Sequence, residues 1–180
     1  MNAAVITGEG TPVASSVQFV NDWTELAPKQ NEVLVKTEAS ALNHLDLWVG
    51  IGMPGLDLEY PRISGSDGCG IVSSVGDGVD ASWLGKRVLL NAAVLQPEKD
   101  LPAISPFPED IRMIGEHDHG TNAEFFVAPV ANVLDVGDMD PVQAAAFGLT
   151  HLTAWRMLIT RAQLRAGQTV LITGIGGGRC

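Results

Sequence analysis

Near its end the chain reads TVLITGIGGG over residues 169–178, an apolar run rich in β-branched residues that passes directly into glycines. A buried strand followed by a glycine turn is how a dinucleotide-binding βαβ unit begins. Gly174, Gly177 and Gly178 carry no Cβ, so their backbone N–H groups can come close to a pyrophosphate. The helix that follows in such units, and the residue about 20 positions further on that separates NAD from NADP, would fall beyond Cys180. The expectation is a cofactor site begun but not completed. A second constellation is GEHDHG (115–120), where His117 and His119 flank Asp118 beside Glu116. These are donor types for a divalent cation, but a spacing of two on a loop, without a cysteine or second cluster, favours a solvated turn. Cys69 sits inside a glycine-rich turn and reads as a buried thiol rather than a nucleophile.

The elements that position these groups fall into two regimes. Up to about residue 130, short runs of strand-forming residues alternate with Gly and Pro, the pattern of a small barrel or sandwich. Strands are expected at Ala3–Ile6, Val17–Phe19, Glu32–Thr37, Gly70–Val75, Arg87–Leu90 and Ala123–Val127, with Val33, Val35 and Thr37 alternating along one face. His44–Val49 reads as one or two helical turns. After Asp140-Pro141, a helix start, the sequence predicts helices over Val142–Phe147 and Leu152–Leu164, the second with Trp155, Leu158, Ile159 and Ala162 on one stripe. A last strand is expected at 169–173. Residues 96–116, with Pro97, Pro102, Pro106 and Pro108, form a long irregular excursion.

Composition removes several function classes. With 46% hydrophobic and 18% charged residues, the 180-residue chain is globular, large enough for one domain and a short appendage. A net charge of −10 opposes a nucleic-acid role, which needs a basic surface. No apolar run approaches the roughly 18–20 residues that span a bilayer. The N-terminus lacks a basic and apolar leader, and two cysteines make no disulfide framework. These features predict a cytoplasmic protein.

Three segments, ASALNHLD (39–46), PRISGSDGCGIVSSVGDGV (61–79) with LGKRV (84–88), and HLTAWRMLITRAQLRAGQTVLITG (151–174), resemble the medium-chain dehydrogenase/reductase superfamily in order and spacing. Glycines 65, 68, 70, 76 and 85 are the most specific part of the likeness. The resemblance implies a mainly β fold, a GroES-like partly open β-barrel with short helices over 1–130. The linking helices and first strand of a truncated Rossmann domain would follow over 131–180. The ending Arg179-Cys180 departs from the family's G-G-V-G finish, as a frameshift, a gene fragment or an artificial boundary would produce.

The same resemblance assigns roles. Zinc-dependent members carry metal ligands at positions that here hold Asn43, Ser66 and Leu149, and a four-cysteine zinc lobe where residues 89–125 contain no cysteine. Neither set suits zinc, which directs the likeness to zinc-independent quinone or enoyl reductases using NADP(H). Asn43 is then the candidate catalytic residue, donating an uncharged amide hydrogen bond to a carbonyl or to the nicotinamide, or else a simple cap. His44 is the candidate cofactor phosphate contact, and Thr153 the nicotinamide contact, unless its hydroxyl only bonds back to its own helix. Asp46 braces the turn, Leu45 replaces a proton-relay hydroxyl, Asp67 stands where the family has Glu, and Trp48 is placed to wall a substrate pocket. The expected function is hydride transfer to a carbonyl or conjugated small molecule, inactive in this chain alone. The alternatives are a non-catalytic β-barrel binding module or remnant, and alcohol dehydrogenase chemistry on an unconventional metal. The unpaired strand at 169–173 offers an edge for homo-oligomer formation.

Overall fold

A computed structural model describes residues 1–53, 57–95 and 111–173. Among the described residues ten strands and two α-helices form: β1 (Ala3–Ile6), β2 (Val17–Val20), β3 (Glu32–Ala41), α1 (His44–Ile51), β4 (Arg62–Ile63), β5 (Asp67–Val75), β6 (Arg87–Leu90), β7 (Ala93–Leu95), β8 (Ile111–Met113), β9 (Phe125–Pro129), β10 (Val133–Asp135) and α2 (Pro141–Trp155). The alternating valines of β3 act as the sequence predicts, Val33 and Val35 being fully buried while Lys36 points out. β3 pairs antiparallel with both β5 and β9, and sits within a five-stranded sheet of order β10-β6-β5-β3-β9. Register shifts at Leu34/Val35 and Thr37/Ala39 curl it. Val33, Val35, Val72, Val88, Leu90, Ile114 and Phe126 fill its concave side, where burying each such side chain contributes about 1.5–3 kcal/mol. A smaller sheet of order β2-β1-β4 closes one end over Ala3, Val5 and Ile63, and β7 pairs with β8.

α1 starts where expected because its N-terminus is satisfied locally. Asn43 is the N-cap, its backbone N–H donates to Asp46 Oδ2 at 2.7 Å, and its side chain faces the Asp46 N–H in return. Leu45 and Val49 bury against Ile6 and Leu58. α2 begins at Pro141, with Asp140 accepting from the Gln143 N–H at 3.0 Å. It runs unbroken to Trp155 and continues as a π-helix over Arg156–Arg161, so the two expected helices are one. Gly148 is not a stop: with Ala144 and Ala145 it makes the small-residue face that packs on β5 and β3 beside Cys69. The expected strand at 169–173 takes no strand ladder, since no described strand runs beside it. Most of the proline-rich excursion, and the glycines from 174 onward, lie outside the described residues.

Candidate functional site

The site is built where β3, α1, β5 and α2 meet. The chain leaves β3 at Ala41 and turns into α1 at Asn43, which sets Asn43 and His44 at the mouth of a cleft of about 870 Å³. The cleft is walled mainly by apolar side chains, among them Ile6, Val13, Leu42 and Leu47, with Thr150 of α2 on its rim. Leu47 rather than Trp48 lines it; the Trp48 ring is half-exposed and tilted against His44, with centroids 6.3 Å apart. His44 itself is exposed at the first position of α1.

Behind the rim lies a buried carboxylate. Asp67, the first residue of β5, accepts from Asn43 Nδ2 at 2.9 Å through Oδ2 and from the Leu149 N–H at 2.6 Å through Oδ1. It therefore ties the start of α1 to the middle of α2. Gly148 permits this approach, because a Cβ there would overlap Asp67 Oδ1. Burial raises the Asp67 pKa, opposed by the hydrogen bonds from Asn43 and Leu149. Asp46 is a second buried carboxylate, accepting from the Asn43 and Gly65 N–H groups at 2.7 and 2.8 Å, and burial raises its pKa as well. Gly65 reaches it at a φ of +101°, where an added Cβ would also press on Thr121 and Asn122. The brace expected of Asp46 is thus a link from α1 to the β4–β5 turn.

Asn43, Ser66 and Leu149 gather around Asp67. What they offer is an amide already bonded to carboxylate, a buried hydroxyl with no partner among the described residues, and an apolar side chain. That set does not fit zinc, which takes thiolate, imidazole or carboxylate, and no group of three or more His, Cys, Asp or Glu side chains that could hold a metal occurs among the described residues. In the GEHDHG segment Glu116 Oε1 lies 3.3 Å from His117 Nδ1, and the other groups turn to partners outside it. His117 Nδ1 accepts from the Met113 N–H at 3.1 Å, His119 Nδ1 accepts from the Ile63 N–H at 3.4 Å, and Asp118 pairs with Arg112. Cys69 is fully buried and its thiol is pushed up to about 11, chiefly by burial, which suits an inert core residue.

Thr153 and His151 lie on the exposed side of α2. The Thr153 hydroxyl donates to the Leu149 carbonyl at 2.7 Å, and His151 stacks on Phe147 with centroids 3.9 Å apart. Gly174, Gly177 and Gly178 lie outside the described residues. The tie from Asp67 to Leu149 was invisible in sequence because α2 contributes a backbone N–H, which leaves no trace in residue type. Gly148 was the one available signal, a glycine spent in mid-helix.

The chain is similar to known proteins. Residues 29–138 match the alcohol dehydrogenase GroES-like domain. The chain is 32% identical over 176 residues to a zinc-type alcohol dehydrogenase-like protein, YogA, of Leptosphaeria maculans, covering 88% of this chain and 46% of that protein. It is 31% identical over 178 residues to the quinone oxidoreductase of Rattus norvegicus, covering 99% and 46%. The crystal structure of an NAD-dependent alcohol dehydrogenase superposes with a TM-score of 0.82 at 34% identity, over 93% of this chain and 49% of that one. The chain thus spans about half the length of these relatives. With its curled sheet, its capped α1 and the domain match over most of its length, this chain belongs to the alcohol dehydrogenase GroES-like family of the medium-chain dehydrogenases/reductases.

Proposed function

We propose that this chain carries the substrate side of an NADP(H)-dependent, zinc-independent oxidoreductase of the quinone or enone type. The observation that supports it best is Asn43, a neutral donor fixed at the mouth of an apolar cleft where a metal-dependent relative would need a charged ligand. NADPH, when bound, supplies the hydride. The chain's own part is to orient the acceptor: Asn43 donates to the carbonyl oxygen on which negative charge develops, and the apolar walls select an uncharged substrate. His44, exposed beside the cleft, would contact the cofactor phosphate; Gly174, Gly177 and Gly178 would offer backbone N–H groups to the pyrophosphate; Thr153, its hydroxyl held by the Leu149 carbonyl, would border the nicotinamide. Leu45 offers no hydroxyl, so the product proton comes from water.

A fluorescence titration of NADPH into the purified chain, followed by oxidation assays against quinones, enones and aldehydes, tests this reading. Saturable binding weakened by His44→Ala is the expected result for this chain, and turnover, expected only where the cofactor domain is complete, should be insensitive to a chelator. Stoichiometric zinc in the purified protein, or activity lost with a chelator, would overturn the zinc-independent assignment. A second reading is a small-molecule binding module without catalysis, favoured by the size of the cleft, about 870 Å³. Carbonyl binding without NADPH binding would support it.

A further inference from the structure

We propose that Asp67 is a positioning residue that fixes which way the Asn43 amide faces and so delivers one N–H of that amide to the cleft. The inference rests on the reading of Asn43 as the donor to substrate. An asparagine side chain has one accepting and one donating end, and flipping it exchanges them. A carboxylate accepts only. With Asp67 Oδ2 at 2.9 Å, the Asn43 end facing it is Nδ2; the reverse orientation would press Oδ1 against a carboxylate oxygen. The Asp46 N–H that the Asn43 side chain faces already donates to the Asn43 backbone carbonyl at 3.1 Å, so the orientation rests on Asp67. Nδ2 carries two hydrogens. One is spent on Asp67, and the second has no protein partner among the described residues while Asn43 lines the cleft.

Asp67 is itself immobilised. It is 2% exposed, its other oxygen is held by the Leu149 N–H, and Gly148 leaves no room beside it. The arrangement selects for ligand chemistry: a neutral carbonyl that needs a single donor, rather than a carboxylate, which would be drawn to a cation. Asp67 touches no substrate in this scheme. It acts through Asn43, whose remaining N–H is strengthened and aimed by the charge-assisted bond behind it.

Asp67→Asn is nearly isosteric but places one donor among two donors, because the Asn43 Nδ2 and the Leu149 N–H both require an acceptor there. The test uses the full chain with cyclohex-2-enone as probe, its affinity followed by NMR titration, in the wild type, Asn43→Ala, Asp67→Asn and the double variant. The Asn43 side-chain amide is observed in parallel. In the wild type one Asn43 amide hydrogen is expected to be protected from exchange and the other not. Asp67→Asn should abolish that difference and weaken the probe about tenfold, yet have no effect in the Asn43→Ala background. Additive losses in the double variant would reduce Asp67 to a structural residue and overturn the proposal. An unchanged Asn43 amide in Asp67→Asn would do the same. Should Asp67→Asn fail to fold, the wild-type amide decides: two equally exchanging hydrogens overturn the clamp. If the amide behaves as expected but the wild type binds no probe, the carbonyl-donor reading falls and the clamp stands.

Discussion

His119 shows how a single side chain couples this fold to pH. Its imidazole lies edge-on to Trp23 with centroids 5.2 Å apart, and accepts from the Ile63 N–H. Burial depresses its pKa, the Arg62 guanidinium adds to the effect, and Asp118 opposes it. On acidification the unfolded chain takes up this proton before the folded chain does, so stability falls as pH drops below the ordinary histidine value of about 6.5. Asp46 and Asp67 work in the opposite sense: their raised values mean the folded chain is protonated first, and stability is gained as pH falls toward the carboxylate range. His119→Gln keeps the size and an acceptor but cannot titrate. Thermal midpoints at about pH 7.5 and about pH 5.5 should therefore differ less for His119→Gln than for the wild type; equal differences would show that His119 is not depressed. At this scale the sequence made Asn43, His44 and Asp46 legible because they are side-chain donors and acceptors in a short capped turn. It hid the contact of Asp67 with α2, whose partner is main chain, and the bond of His119 to Ile63, which lies 56 residues away in the chain.

Among the elements, α2 depends on one glycine. Gly148 costs helix propensity of about 1 kcal/mol relative to alanine, yet a Cβ at this position would overlap Asp67 Oδ1 and crowd the Leu90 carbonyl. Gly148→Ala should thus lower stability by about 1–3 kcal/mol, against a change within about 0.5 kcal/mol for Gln143→Ala on the exposed face of the same helix. Urea midpoints compare the two, and a stabilised Gly148→Ala would show that α2 does not press on Asp67. β3 and α1 were legible because alternation and capping are local. β4, β7, β8 and β10, of two or three residues each, are defined by the strands they pair with rather than by their own sequence. The converse holds at 169–173, where a strong strand pattern takes no ladder because no described strand runs beside it.

Taken whole, the molecule exposes large apolar side chains on several elements, and a series of them lies along α2 and the segment after it. Leu152, Trp155 and Ile159 fall at spacings of three and four, on one face of α2 and its π-helical extension, and are 44%, 62% and 41% exposed. Leu171 and Ile172 are 87% and 51% exposed close to the described end. No helix among the described residues is long and apolar enough to cross a membrane, so this surface is not a span. Contiguous apolar surface of this kind favours association, and the unpaired backbone at 169–173 adds donors and acceptors for an edge contact. The expected behaviour in solution is a mass that rises with protein concentration. Trp155→Glu combined with Leu171→Asp places charge in the patch and should return the chain to a monomer, without shifting thermal stability by more than about 0.5 kcal/mol, since both side chains are exposed. Light scattering across a concentration series checks both halves. A wild type that stays monomeric throughout would mean that this face is tolerated in water, and a doubly substituted chain that still associates would place the contact on another surface of the barrel.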